Sequence, residues 1–65
     1  MTMMTGNQEW AFRRARERVA RDEDGYTIYH HRRNVDDYAV QNAAAAPPRD
    51  FVRVATIWPT PKELR

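Results

Sequence analysis

The sequence predicts a small α+β domain in the order helix, strand, helix, strand, with the helices packed on a small sheet. Three observations carry this expectation. Residues 7–24 place apolar side chains at helical spacing, residues 26–32 and 50–58 are rich in β-branched and aromatic side chains, and an alanine run at 43–46 follows an asparagine-led acidic turn. A chain of 65 residues makes one domain at most, and at this size folding buries only ~60% of the unfolded surface. The core is expected to be thin, and no cysteine is present to staple it.

The first helix is signalled by Asn7 as N-cap, Glu9 in the first turn and good helix formers through Val19. Residues 1–6, MTMMTG, read as a flexible leader. At ~100° per residue, Ala11, Phe12, Ala15 and Val19 share one arc, the expected buried face. Trp10 projects away from it. Gly25 is the expected stop, as a residue at ease in the left-handed conformation that ends many helices.

Residues 26–32 form the first expected strand. In NVDDYAVQNAAAAPP, Asn34 is an N-cap candidate, Asp36 and Asp37 suit a helix start, and Val35, Tyr38, Ala39, Asn42, Ala43 and Ala46 recur at spacings of three and four. The alanines favour a second helix ended by Pro47 and Pro48. The alternative is a turn at 32–37 with 38–41 returning as a strand, which would give one helix on a three-stranded antiparallel meander. Residues 50–58, DFVRVATIW, offer apolar groups to both faces, so a covered or central strand is expected. The domain would then span 7–59, with 60–65 an extended C-terminal tail.

Charge limits the partners. Eleven cations, ten of them arginine, stand against nine acids, for a net charge of +2. The isoelectric point near 9.5 reflects arginine's very high pKa more than a large surplus of charge. The segment RRARERVAR, residues 13–21, holds five arginines, but Glu9, Glu17, Asp22, Glu23 and Asp24 bring residues 7–24 to zero. Spacing predicts local neutralisation by Glu9–Arg13, Glu17–Arg21 and Arg18–Asp22 pairs. Arg32 and Arg33 are followed by Asp36 and Asp37, so the excess lies after the proline pair.

RRARERVAR with a nearby tryptophan resembles, over about nine residues, the arginine-rich RNA-binding peptides of phage antitermination proteins. The resemblance implies base stacking by Trp10 and phosphate contacts by the arginines. Those peptides are more uniformly basic, whereas here DED follows directly.

Serine and cysteine nucleophiles are excluded, since the chain has neither residue. His30 and His31 stand near Asp36 and Asp37, but adjacent strand residues point to opposite faces and cannot easily share one ion. No metal or other cofactor is expected, and no enzyme activity. No apolar run approaches the ~18 residues of a membrane span, and MTMMTGNQEW lacks the pattern of a signal peptide, so a cytoplasmic protein is expected. The enrichment in Trp, Tyr and Arg suits protein interfaces. The leading expectation is a non-enzymatic protein-binding module of accessory or inhibitor type, with Trp10, Arg14, Arg18 and Arg21 as its contact face, and self-association into a homodimer as a further way to cover apolar surface. The alternative is a small nucleic-acid-binding regulator, with Arg32, Arg33, Arg49 and Arg53 as further anion contacts if the fold brings them together.

Overall fold

A computed structural model describes residues 2–60, with side chains from Asn7 onward. The chain folds as one helix, α1 (Thr2–Asp22), followed by three strands, β1 (Tyr26–His31), β2 (Tyr38–Asn42) and β3 (Phe51–Ile57). The strands form an antiparallel sheet in the order β2-β1-β3. The two-helix order is therefore corrected to the alternative, one helix on a three-stranded antiparallel sheet with residues 38–41 returning as a strand. The sheet is not a meander, because β3 lies on the far side of β1 from β2.

The segment expected to be a second helix shows why. Asn34 Oδ1 accepts a hydrogen bond from Asp36 N (3.1 Å), the contact an N-cap would make, but here it closes a hairpin turn that also includes Asp37 N donating to Asn34 O (3.0 Å). Tyr38, Val40 and Asn42 then pair with His30, Ile28 and Tyr26. A short isolated helix is marginal in water, whereas a strand beside β1 satisfies its backbone and packs Tyr38 and Val40 against the core. Asn42 ends the strand, its Oδ1 accepting from Ala44 N (2.8 Å) and its carbonyl from Ala45 N (2.9 Å).

Placing β1 in the middle dictates the next connection. β2 and β3 both run antiparallel to β1, so residues 43–50 must travel the length of the sheet while crossing β1. Strand rise and spacing make that diagonal roughly 19 Å, and the path ends in a turn at 48–51, where Asp50 takes a left-handed φ of 66° and Phe51 N donates to the Pro48 carbonyl (3.3 Å). The helix occupies one face, so the connection passes over the other. Thr27 and Tyr29 point to that face and are only 3% and 5% exposed although no helix covers them. Pro47 and Pro48 suit this strap, since extended proline needs no backbone donor.

On the helix side, Ala11, Ala15 and Val19 meet Tyr26 and Ile28, with Phe12, Tyr38, Val40 and Ile57 packed around them. The apolar stripe of α1 is thus as expected. Ile28 is the largest fully buried side chain. The helix packs on β1 and β2 and touches β3 least. β3 is accordingly an edge strand, a correction to the covered strand expected from its apolar groups, and Val52 and Val54 are exposed.

The helix ends also differ from expectation. α1 begins before Asn7, whose side chain instead donates to the Asp36 carbonyl (3.0 Å) and ties the helix to the hairpin turn. The left-handed residue after the helix is Glu23 (φ 54°), with its N–H donating to Val19 O (2.8 Å). Gly25 has an ordinary φ, and space is its role: a Cβ there would run into the ring of Trp58. The tail expected at 60–65 lies, from residue 61 on, outside the described residues.

Gly25→Ala is expected to lift the Trp58 ring off β1 and destabilise the fold by about 1–3 kcal/mol. Urea unfolding measures the loss, and in a Trp10→Phe background the Trp58 emission should shift to the red. Unchanged stability and emission would refute the packing role of Gly25.

Candidate functional site

The outer face of α1 carries the first expected contact set. Trp10 is 47% exposed, and the Arg14 guanidinium carbon lies 5.7 Å from the centre of its ring, within cation–π range. Arg21 is exposed on the same side of the helix. Arg18 is not part of this face, contrary to expectation. It leans toward the sheet with its guanidinium carbon 5.9 Å from the centre of the Tyr26 ring, and its Nε is buried without a hydrogen-bond partner. The reason is angular: Arg18 lies ~60° from Val19's neighbour Ala15 on the wheel, at the margin of the buried stripe, where a long stem covers apolar surface.

The ion pairs expected from helical spacing are replaced by others. Among the described residues the ion pair present is Arg21–Asp22, with Nε 2.9 Å from Oδ1 and Nη2 3.2 Å from Oδ2. Glu9–Arg13, Glu17–Arg21 and Arg18–Asp22 do not form. The acidic run DED is structural instead. Asp22 Oδ2 accepts from the Tyr26 hydroxyl (2.6 Å), Asp24 Oδ1 from Gly25 N (2.9 Å) and Asp24 Oδ2 from Asn42 Nδ2 (2.9 Å). These bonds fasten the end of α1 to the start of β1 and the end of β2.

The second set, Arg32, Arg33, Arg49 and Arg53, is gathered at one end of the sheet. His31 pairs with Phe51, Arg32 N donates to the Asp50 carbonyl (2.8 Å) and Arg53 sits opposite Tyr29. All four arginines are exposed, and none makes an ion pair among the described residues. A β-bulge directs part of this arrangement. β1 and β3 pair Ile28 with Ala55 but Tyr29 with Arg53, so Val54 is the extra residue. The bulge turns Phe51 and Arg53 to the strap face while Ala55 and Ile57 stay on the helix face. No sequence signal marks it.

The two histidines separate as alternation requires. His30 stacks at a tilt near Tyr38 (6.3 Å) and its Nδ1 donates to the His31 carbonyl (3.0 Å), while His31 meets Phe51 edge-on (5.1 Å) and its Nδ1 accepts from Arg33 N (3.0 Å). Among the described residues no three His, Asp or Glu side chains are grouped to hold a metal ion.

Sequence reasoning missed the surface along β3. Trp58, 66% exposed, lines an open furrow of about 420 Å³ with Arg16, Val19, Ala20, Ile57 and Pro59. Together with Val52 and Val54 it makes β3 and the residue after it the site of three of the five exposed large apolar side chains among the described residues. The apolar content of 50–58 was the available signal, but only the strand order shows that it lies at an edge.

Comparison with protein-family models, with characterised proteins and with solved structures finds no match to this chain.

The contacts at the end of α1 make a pH prediction. The Arg21 guanidinium, and then the Tyr26 hydroxyl, hold the Asp22 carboxyl down to about 2 from an ordinary value of 3.8. A depressed folded-state pKa gives stability that is present above pH ~4 and lost as pH falls toward ~2. Tyr26→Phe should move the Asp22 midpoint upward, read from its side-chain carboxyl carbon by NMR. An unmoved midpoint would show that the hydroxyl contact does not hold the carboxylate.

Proposed function

We propose that this chain is a small non-enzymatic protein-binding module, of the accessory or inhibitor kind, that acts by covering part of a larger protein. The observation that carries the reading is Trp10: a half-exposed indole on the outer face of a helix whose buried stripe lies elsewhere, with Arg14 stacked on it. An indole held by a guanidinium offers a large amphipathic contact with little side-chain entropy left to lose, and Trp and Arg dominate interface hot spots. Arg21, fixed by Asp22, extends the face along the helix. Half-buried Arg18, turned to the Tyr26 ring, is left out of this surface.

A second reading, a small regulator that binds nucleic acid, is supported by the gathering of Arg32, Arg33, Arg49 and Arg53 at one end of the sheet. Asp36, Asp37 and Asp50 lie in the same turns and lower the potential there. The protein-binding reading is preferred because an exposed indole with a guanidinium over it contributes contact area even with Glu17 on the same side of the helix and Asp22 bonded to Arg21.

Affinity capture from lysate, with one arm nuclease-treated, tests the two. Retention of a protein after nuclease treatment is expected. Trp10→Ala and Arg14→Ala together should weaken capture by about 30-fold or more, with circular dichroism unchanged. Undiminished capture by the folded double variant would refute the Trp10 face. Loss of all capture on nuclease treatment, with binding to RNA or DNA that falls steeply with salt, would favour the second reading.

A further inference from the structure

The edge of β3 is the part of the molecule with the most unexplained apolar surface. The helix covers one face of β1 and β2, and Thr27 and Tyr29 on the other face of β1 are buried. Among the described residues β3 keeps an unpaired backbone edge seven residues long, with Val52 and Val54 exposed and Trp58 beside it. Natural edge strands are commonly blunted by lysine, proline, other charges or a β-bulge. β3 has no lysine or proline, and its devices of this kind are Arg53 and the bulge at Val54. The opposite edge, β2, has only half-buried residues and no exposed large apolar side chain.

The geometry points to a second copy of this chain as the occupant, paired antiparallel with β3 to give a continuous six-stranded sheet. A two-fold axis perpendicular to the sheet requires that opposed residues point to the same face. In a regular strand this excludes any axis lying between two residues. The bulge at Val54 breaks the alternation and permits one between Val54 and Ala55. That register sets Val52 against Ile57 of the other copy on the helix face, and Arg53 against Thr56 on the strap face. The apolar pair is one that stabilises sheets, and the two arginines avoid facing each other across the seam. A register centred on Val54 itself would instead oppose Phe51 to Ile57, which point to opposite faces.

Both helices would lie on the same face of the joined sheet with the Trp10 faces outward. The assembly would therefore present that surface twice and gain avidity for a partner with two sites.

The test uses the full chain, and its lack of cysteine allows single thiols to report the register. Light scattering after size exclusion is expected to show a mass about twice 7.7 kDa at high concentration. Val54→Lys, at an exposed position, should weaken association by at least about tenfold with circular dichroism unchanged. Mixing Arg53→Cys chains with Thr56→Cys chains should give a cross-linked heterodimer under mild oxidation, while each variant alone should cross-link poorly. A monomer at all concentrations would overturn the proposal, as would a dimer that tolerates Val54→Lys or cross-links equally in the unmixed samples. Trp10→Ala should leave the dimer intact, so failure here and failure of the Trp10 surface are read separately.

Discussion

The structure depends on β1 lying between two antiparallel neighbours. A strand of six residues with β2 on one side and β3 on the other has both backbone edges satisfied, and Ile28 becomes, among the described residues, the one large side chain removed completely from water. Several features follow from this position. β2 and β3 are forced parallel to each other, which rules out a hairpin between them and demands a crossing connection. The helix can cover only one face, so the strap of residues 43–50 has to shield the other. A chain this short would otherwise leave Tyr29 and Thr27 half-wet. The cost of the arrangement falls on β3, which is left at the edge with little helix above it.

Polar chemistry fixes the pieces that the small core holds only weakly. The acidic residues after α1 are bonded to Tyr26, Gly25 and Asn42, so the helix end, β1 and β2 are tied at one end of the sheet. Asn7 ties the helix to the hairpin at the other end. These acids serve the fold, and among the described residues the outer arginine that they neutralise in a contact pair is Arg21, held by Asp22. What remains outward is a helix face whose most distinctive group is an indole with a guanidinium over it. That indole and guanidinium underlie the proposed protein-binding surface.

Much of the fold was legible in the residues. The buried stripe of α1, the exposed Trp10 and the spans of β1 and β3 follow from periodicity and β propensity, because each depends on neighbours within one element. The alanine-rich segment misled for a physical reason. Asn34 makes the same side-chain contact whether it caps a helix or closes a turn, and intrinsic alanine propensity of a few tenths of a kcal/mol per residue is small beside the pairing of a whole strand. Of the candidate sites, Trp10, Arg14 and Arg21 were placed correctly on the outer face. Arg18 was not, because a residue at the margin of a helical stripe goes in or out according to what stands beside it, here the Tyr26 ring.

The sequence by itself determined which segments could be helix or strand, which helical face turns inward, and that serine and cysteine chemistry is absent, since these rest on local geometry and residue identity. Tertiary structure alone decided that β1 is central and β3 an edge, that a bulge at Val54 sends Arg53 and Phe51 to the strap face, and that four arginines from three segments meet at one end of the sheet. Those features depend on pairing between residues far apart in the chain. A one-residue shift in such pairing reverses which face a side chain occupies without altering any local propensity.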